Sequence, residues 1–339
     1  MRIGLVGAGA IARRHVEWLR RRPDVEVAVV CDIDETRAAD LAALAGATVS
    51  TSWEATLAAD ELDAVFVCTP PALHVGPAVA SLERDLAVYL EKPLARSLED
   101  GRQIVDAWRR SSAVCAVGYQ WRSLDLLPTL RAAIGDVAPG MLVSRSYGST
   151  ETGRGDRAVV GAGSSGSWFV DPQRSGGILF ELGSHDIDLQ CALAGSVLSV
   201  QASSASGKLA LAGAPASGLD DAVIVTLRFA SGALGSVLIA WTDAQDPPLY
   251  ALDVLGTNVA LHVVLEPVFR IEGLARGAAF ASFSRTDPRE SSLDRFFEAV
   301  RSGDRGRVPC SPEDAFGTLA TALACEHSLA SGAIADVLS

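Results

Sequence analysis

Near its start the chain reads Arg2-Ile3-Gly4-Leu5-Val6-Gly7-Ala8-Gly9-Ala10-Ile11-Ala12, and this stretch carries the strongest indication of its fold. An apolar run typical of a strand leads directly into two closely spaced glycines and then into a segment with helical periodicity. Gly7 permits a tight turn, Gly9 lets the backbone approach a pyrophosphate, and the small Ala12 allows close packing of helix on sheet. Free N–H groups at the start of the helix, at Ala10 and Ile11, favour a phosphate. The stretch therefore predicts a dinucleotide-binding Rossmann fold.

The rest of the first third alternates short apolar runs with helical segments, which predicts a doubly wound parallel sheet covered on both faces. The predicted strands are Arg2–Val6, Glu26–Cys31, Ala64–Cys68, Ala87–Leu90 and Ala113–Val117. The predicted helices are Ala10–Arg22, Glu35–Ala45, Gly76–Glu83 and Ser97–Arg110.

After Trp121 the pattern changes to β-rich runs joined by Gly, Ser, Asp and Pro turns, which predicts an α+β domain with a large open, mainly antiparallel sheet. The predicted strands are Met141–Tyr147, Val197–Ser203, Ala222–Phe229, Ala233–Trp241, Leu249–Leu255 and Val259–Val264, and the predicted helices are Ile178–Leu193, Ser291–Arg301 and Pro312–Leu329. The Gly/Ser-rich Thr152–Ser167 is a candidate lid. We thus predict an α/β protein with domains at residues 1–121 and 122–339, its C-terminal helix a candidate to pack back on the first domain.

Composition narrows the function further. The 339 residues include 29 basic and 41 acidic side chains, a formal net charge of -12, which opposes binding to duplex nucleic acid. The six cysteines are scattered, with no Cys-x-x-Cys pair, which is typical of buried thiols in a reducing compartment. No apolar stretch is long enough to span a bilayer. A cytoplasmic enzyme without membrane or nucleic-acid partners is the expectation.

An acidic residue ends the second predicted strand. The carboxylate of Asp32 can accept hydrogen bonds from both hydroxyls of an adenosine ribose and repels a 2′-phosphate, which favours NAD. An alternative is that Asp32 only caps a loop. The nearby Arg37 could pair with a 2′-phosphate, so NADP stays open. Asp34 is expected to cap the second helix instead.

Several short motifs, in this order and spacing, resemble the Gfo/Idh/MocA oxidoreductase family. Besides the glycine loop they are Cys68-Thr69-Pro70-Pro71-Ala72-Leu73-His74, Glu91-Lys92-Pro93, Gly118-Tyr119-Gln120-Trp121-Arg122, Trp168-Phe169-Val170-Asp171-Pro172, Ser175-Gly176-Gly177 and Glu181-Leu182-Gly183-Ser184-His185-Asp186-Ile187-Asp188. The resemblance spans nearly the whole chain. It implies a Rossmann domain followed by an α/β domain with a large open sheet, and hydride transfer between NAD(P) and a secondary alcohol or ketone of a sugar, cyclitol or related polyol.

Lys92 follows a predicted strand and so lies at the carboxyl edge of the sheet, where ligands bind in open α/β folds. A lysine there can donate to the reacting hydroxyl and favour its alkoxide. The alternative is a plain surface lysine. The resemblance also places Thr69, Pro70, Glu91 and Lys92 on the cofactor side, with His74 expected to fix the loop beneath the nicotinamide.

Glu181, His185 and Asp188 fall at i, i+4 and i+7 of the predicted helix and would share one face. The apolar Leu182, Ile187 and Leu189 point elsewhere, so we expect this polar stripe to lie outside the packed face. The resemblance implies that His185 is the proton acceptor in alcohol oxidation, and an imidazole suits this role because its ordinary pKa lies near neutrality. A core or capping histidine is the alternative.

Two further assignments follow from the resemblance. Where the family usually has aspartate four residues before the histidine, this chain has Glu181, which keeps the charge but extends its reach and leaves substrate choice open. Asp188 would contact the substrate or orient the histidine, or simply face solvent. Trp121, Arg122 and Trp168 are candidates to line the nicotinamide or substrate pocket.

Other interpretations compete with a dehydrogenase. A metal site on Glu181, His185 and Asp188 lacks a second ligand cluster, so no metal is predicted. Relatives that use NAD as glycosidases, or that bind it as non-catalytic sensors, are the alternative functions; the presence of both Lys92 and His185 favours an enzyme. Apolar strands such as Ala222–Leu227 need cover on both faces, which predicts a homodimer or homotetramer formed through the C-terminal sheet.

Overall fold

The computed structural model describes residues 1–58, 61–135, 139–148, 175–207, 220–242, 249–266, 269–284 and 286–338. They form two compact units. The first comprises Met1–Tyr119 and Ser292–Phe316, and the second comprises Gln120–Ser291 and Gly317–Ser339. The predicted lid Thr152–Ser167 and the candidate substrate residue Trp168 lie outside the described residues.

The first unit contains the predicted parallel sheet, and this expectation is confirmed. Six strands lie in the order β3-β2-β1-β4-β5-β6 with every neighbouring pair parallel, which is the doubly wound arrangement of a dinucleotide-binding fold. The strands are β1 Arg2–Val6, β2 Glu26–Cys31, β3 Thr48–Ser50, β4 Ala64–Val67, β5 Ala87–Leu90 and β6 Cys115–Val117. The helices are α1 Ala10–Leu19, α2 Glu35–Ala45, α3 Trp53–Leu57, α4 Val75–Leu82 and α5 Leu98–Arg110.

The segment Ser292–Phe316 belongs to the first unit, which differs from the predicted division at residues 121 and 122. Phe296 and Phe297 are fully buried in the core of the parallel sheet. Their rings contact Phe66 of β4 at 5.7 Å and Trp18 of α1 at 5.9 Å, between centroids. Burial of these large side chains, worth roughly 2–3 kcal/mol each, holds the segment on the first unit.

The second unit is built on a nine-stranded sheet in the order β14-β13-β12-β11-β7-β10-β9-β8-β15. Within the described ranges its neighbouring strands are antiparallel, except for the parallel pair β7 and β10, so the mainly antiparallel sheet is confirmed. The strands are β7 Met141–Gly148, β8 Val197–Ser206, β9 Asp220–Phe229, β10 Leu234–Trp241, β11 Leu249–Gly256, β12 Val259–Glu266, β13 Arg270–Ala275, β14 Ala278–Phe283 and β15 Ala335–Asp336.

The two faces of this sheet differ in exposure. Along β9 the side chains of Val223, Val225 and Leu227 are buried, while those of Ile224 and Thr226 between them are exposed.

The remaining α-helices of the described residues are α6 Leu127–Ile134, α7 Ser184–Ala194, α8 Pro288–Ser302 and α9 Pro312–Ser331. Both α8 and α9 contain residues of each unit. Among the described helices, none is both long and apolar enough to cross a lipid bilayer.

The predicted helix Ile178–Leu193 is not continuous. A π-helical turn covers Leu179–Gly183, and the regular helix α7 begins only at Ser184. Helix α1 ends at Leu19 instead of Arg22. The elements that the sequence pattern missed are short or rich in small residues, and such segments carry little hydrophobic periodicity. They are β3, β13, β14, β15, α3 and α6.

Candidate active site

The glycine loop lies between the end of β1 and the start of α1. Gly7 has a φ of 98°, and a side-chain carbon there would lie 2.6 Å from the carbonyl oxygen of Cys68, so only glycine fits. Gly9 is the N-cap of α1, and a carbon built on it meets nothing within 4 Å. The protein's own packing therefore leaves open space at the helix start, where a pyrophosphate needs close approach to backbone N–H groups.

Asp32 is tied to the glycine loop. Its Oδ2 accepts a hydrogen bond from the N–H of Ala8 at 2.8 Å, and its Oδ1 accepts from the N–H of Asp34 at 2.9 Å. The guanidinium of Arg37 lies 3.4 Å from the same carboxylate and 3.1 Å from that of Asp34. Asp32 thus joins two loops of the predicted nucleotide site, with a cation beside it. The predicted cap is confirmed, since Asp34 accepts from Thr36 and Arg37 at the start of α2.

His74 connects the loops that follow β4 and β5. It is fully buried, with Nε2 2.9 Å from the carbonyl oxygen of Thr69 and Nδ1 3.3 Å from that of Leu94. Burial lowers its pKa, although its backbone hydrogen bonds oppose the shift. These contacts are what a residue that fixes the loop at Thr69 and Pro70 would make.

Lys92 directly follows Glu91 at the carboxyl end of β5, and the Lys92–Pro93 peptide bond is cis. Lys92 itself is half-buried. The carboxylate of Glu91, predicted on the cofactor side, makes its close contact elsewhere: Oε1 lies 2.7 Å from Nε2 of His15 in α1. The sequence predicts only a structural role for His15. A signal was present, because His15 lies at helical spacing among the buried Ala12, Val16 and Leu19.

His185 lies in the second unit, half-buried in the first turn of α7. The indole ring of Trp121 is 5.2 Å from the imidazole and 5.8 Å from the ring of Tyr250, between centroids. Trp121 is only 3% exposed. Trp121 therefore supports the His185 ring, and the structure brings together these two residues that the sequence had proposed separately.

Glu181 falls within the π-helical turn, whose backbone hydrogen bonds run from i to i+5. The expected α-helical spacing between Glu181 and His185 is therefore wrong, because the helical period changes between them. Turns of this kind occur frequently at functional sites, where they re-aim side chains.

The expectation that the polar stripe lies outside the packed face is wrong at Asp188, whereas Glu181 and His185 are half-buried. Asp188 is only 1% exposed, and Oδ2 accepts a hydrogen bond from Nε of Arg122 at 2.8 Å. Its Oδ1 accepts from the hydroxyl of Thr318 in α9 at 3.0 Å. Helix α7 is enclosed on several sides, so its polar side chains pair with protein groups. Two candidate substrate residues, Asp188 and Arg122, thus bind each other.

Two more buried polar residues of α7 face the sheet, and the sequence interpretation missed them. Gln190 donates from Nε2 to the hydroxyl of Ser144 and to the carbonyl oxygen of Ser236, both at 2.9 Å. Burial raises the pKa of Asp186 to about 7, and the hydroxyls of Ser146 and Ser144 offset part of this rise. The sequence signal was only that these residues flank His185 on a helix expected to be amphipathic.

The candidate residues divide between the two units. The first holds Gly7, Gly9, Ala10, Ile11, Ala12, Asp32, Thr69, Pro70, His74, Glu91 and Lys92, and the second holds Trp121, Arg122, Glu181, His185 and Asp188. In the described part of the chain, no three His, Cys, Asp or Glu side chains lie close enough to hold a metal ion.

Family models match most of the chain. Residues 1–119 match the model described as an oxidoreductase family with an NAD-binding Rossmann fold, and residues 141–262 match the GFO/IDH/MocA C-terminal domain. The 1,5-anhydro-D-fructose reductase of Ensifer adhaerens is 28% identical over 99% of this chain and 98% of its own length. The inositol 2-dehydrogenase 3 of Saccharopolyspora erythraea is 35% identical over 36% of this chain and 37% of its own.

Solved structures share the fold over the full length. A levoglucosan dehydrogenase in complex with NADH and L-sorbose superposes with a TM-score of 0.83 at 19% identity, covering 100% of this chain and 99% of that one. A protein from Sinorhizobium meliloti 1021, described as a putative myo-inositol dehydrogenase, superposes with a TM-score of 0.78 at 24% identity and full coverage of both chains.

Proposed function

The chain belongs to the Gfo/Idh/MocA oxidoreductase family, and from this premise we propose that it transfers a hydride between a nicotinamide dinucleotide and a secondary alcohol or ketone of a sugar, cyclitol or related polyol. The observation that carries the proposal is the open glycine loop at the start of α1, with Lys92 at the carboxyl end of β5 in the same unit. Relatives that are reductases and dehydrogenases of such compounds support the substrate class.

The residues of the first unit fit a dinucleotide. Gly7 makes the tight turn, and Gly9 leaves room for the pyrophosphate beside the N–H groups of Ala10 and Ile11. Asp32 offers carboxylate oxygens to the adenosine ribose. We propose NAD as the preferred cofactor, because a carboxylate at this position repels a 2′-phosphate. Arg37 beside it is half-exposed and weakens that repulsion.

The proposed chemistry divides between two side chains. When bound, the nicotinamide would supply the acceptor for the hydride that leaves the alcohol carbon, and an imidazole nitrogen of His185 would accept the proton of the hydroxyl. The ammonium of Lys92 donates a hydrogen bond to the reacting oxygen and stabilises its negative charge. Trp121 supports the His185 ring from within the second unit.

The test is a turnover screen of the pure protein with NAD and NADP against cyclitols, aldoses and amino sugars, following the absorbance of reduced nicotinamide. We expect turnover with NAD, and a loss of about 10²- to 10⁴-fold in His185→Ala, the range for removing a general acid–base. His327→Ala, an exposed histidine of α9, is the matched control with unchanged turnover.

Each outcome of the screen is decisive. Unchanged turnover in His185→Ala would remove this residue from the mechanism. If the wild-type protein binds NADH but turns over no alcohol of the panel and none of the corresponding ketones, a dehydrogenase is rejected in favour of a glycosidase or a non-catalytic sensor.

We also propose that two copies associate through the outward face of the nine-stranded sheet. An apolar row runs in register across five neighbouring strands of this face. It consists of Leu234, Met141, Leu255, Ala260 and Leu274, and its four large side chains are Leu234, Met141, Leu255 and Leu274. Each of these four large side chains is at least 41% exposed. This apolar row crosses a face that also carries Arg145, Asp253 and His262, linked by contacts of 3.0 and 2.6 Å. A face with an apolar row and both signs of charge is complementary to a second copy of itself.

A further inference from the structure

His15 lies in the helix that follows the glycine loop and touches the residue before Lys92. We propose that His15 is a positioning residue for Lys92, acting through the carboxylate of Glu91. The inference rests on the proposed function for the catalytic role of Lys92, and its geometry lies entirely within the first unit.

The imidazole of His15 is held on three sides. Its ring meets the ring of Phe66 on β4 edge-on at 5.6 Å and that of Tyr89 on β5 at 5.4 Å, with interplanar angles of 71° and 75°. Nε2 lies 2.7 Å from Oε1 of Glu91, and His15 and Glu91 are only 8% and 9% exposed. Ring packing fixes the imidazole in the orientation that meets the carboxylate.

The second carboxylate oxygen of Glu91 is also enclosed. Oε2 accepts a hydrogen bond from the backbone N–H of Lys92 at 3.3 Å. A side-chain carbon on Gly118 would lie 3.2 Å from Oε2, so the glycine after β6 leaves room for the carboxylate. His15 and the backbone N–H of Lys92 therefore each bind one oxygen of the Glu91 carboxylate.

The charge of this carboxylate is maintained by its neighbours. Burial alone raises the pKa of Glu91, but the hydrogen bond and attraction of His15, together with the charge of Lys92, outweigh it and lower the pKa. The other titratable groups near Glu91 stay uncharged at neutral pH, because burial raises the pKa values of Cys68 and Tyr89 and lowers that of His74. The negative charge of Glu91 in turn attracts the ammonium of Lys92.

The contact between His15 and Glu91 has a role beyond core packing. A buried carboxylate pays a desolvation penalty that apolar residues of similar volume avoid, so packing alone does not require the contact between His15 and Glu91. The His15–Glu91 hydrogen bond runs from α1, whose first residues form the predicted pyrophosphate site, to the residue before Lys92. It thereby fixes the lysine backbone relative to the cofactor helix and places a negative charge beside the lysine.

The chain offers a clean probe because it contains two lysines, Lys92 and Lys208. Protein labelled with ¹³C at the lysine ε carbon gives two signals, and Lys92→Arg identifies the one from Lys92. Its titration midpoint is compared between the wild type, Glu91→Gln, His15→Leu and His15→Gln, with Lys208 as internal reference. This measurement needs no substrate, so its outcome is independent of the turnover screen.

In Glu91→Gln we expect the Lys92 midpoint to move to lower pH by about 1 unit, as for loss of an opposite charge nearby. In His15→Leu the shift is smaller and in the same direction, and kcat falls about 10-fold or more while the dissociation constant of NADH stays within about twofold. His15→Gln keeps an N–H donor near Glu91, so the Lys92 midpoint and kcat return towards those of the wild type. Phe66→Leu alters packing beside His15 without touching the hydrogen bond, and leaves the midpoint unchanged.

An unchanged Lys92 midpoint in folded Glu91→Gln overturns the proposal, and so does a failure of His15→Gln to differ from His15→Leu. If His15→Leu does not fold, as judged by circular dichroism, Glu91→Gln and His15→Gln decide the question between them. If the screen detects no turnover although the Lys92 midpoint shifts in Glu91→Gln, the dehydrogenase function is rejected. The coupling between His15, Glu91 and Lys92 is then still supported.

Discussion

The pKa values of two buried carboxyl groups of this protein shift in opposite directions. Glu91 meets His15 and the charge of Lys92, so its pKa is lowered despite burial. Asp186 meets the hydroxyls of Ser146 and Ser144, which offset only part of the effect of burial, so its pKa rises to about 7. A cation stabilises a buried carboxylate far more than a neutral donor does, and this difference separates the two sites.

The raised pKa of Asp186 predicts a pH-dependent stability. In the unfolded chain this group has its ordinary pKa of 3.8, so folding favours its neutral form, and the stability it contributes is complete below that value and is lost as pH rises towards 7. Asp186→Asn removes this dependence. Between pH 5 and pH 7 the free energy of unfolding of the variant should therefore rise relative to the wild type, by at most about 1.4 kcal/mol per pH unit.

Chemical denaturation of both proteins at several pH values measures this difference. Asp40→Asn, which changes an exposed aspartate of α2, should show no such trend. Parallel pH profiles of the wild type and Asp186→Asn would contradict the assignment.

Helix α7 is fixed in place by polar contacts as well as by apolar burial. Asp188 binds Arg122 and Thr318, while Gln190 binds Ser144 and Ser236 of the sheet. His185 precedes both Asp188 and Gln190 within the same helix, so these contacts set the orientation of its backbone. We therefore assign Asp188 a positioning role in place of direct contact with substrate.

The Arg122–Asp188 pair predicts strong coupling in a double-mutant cycle. Arg122→Gln or Asp188→Asn alone leaves a buried charge without its partner and should lower the free energy of unfolding by about 3–5 kcal/mol. The double variant should lose clearly less than the sum of the two single variants. Urea denaturation of the four proteins gives the coupling energy.

An exposed pair provides the matched control for this cycle. Arg109 and Glu313 are 2.7 Å apart, with side chains 60% and 48% exposed, and their coupling should be at most about 1 kcal/mol. Equal coupling energies for the two pairs, or additive losses at Arg122 and Asp188, would show that burial does not strengthen the contact. An increase in KM alone for Asp188→Asn would restore it to the substrate site.

At the scale of the whole molecule, the outward face of the large sheet predicts self-association. The apolar row at Leu234, Met141, Leu255 and Leu274 exposes more contiguous apolar surface than isolated surface residues would, and a second copy would remove it from water. Leu255→Lys at the middle of the row should raise the dissociation constant of the dimer at least tenfold, because it leaves a charge in an apolar contact.

Light scattering at micromolar concentration, followed by dilution, measures this constant. Val49→Lys, which changes an exposed apolar residue of β3 in the first unit, should leave it unchanged. A wild-type protein that is monomeric at micromolar concentration would reject association through this face.

The parallel sheet, the glycine loop, the cap at Asp34 and the large sheet of the second unit can all be predicted from the sequence alone. These features are written in local patterns, since a strand, a turn and a helix start each depend on residues a few positions apart. The motifs that resemble a known family also indicate Lys92 and His185 without any information on their spatial contacts.

The partners of these residues depend on tertiary packing. His15 meets Glu91 across 76 positions, and Arg122 meets Asp188 across 66, so no local period could reveal either pair. The same holds for Ser292–Phe316, which joins the first unit because Phe296 and Phe297 complete its core. Periodicity shows which face of an element is buried, whereas the packing of distant segments decides what that face meets and hence which charges survive burial.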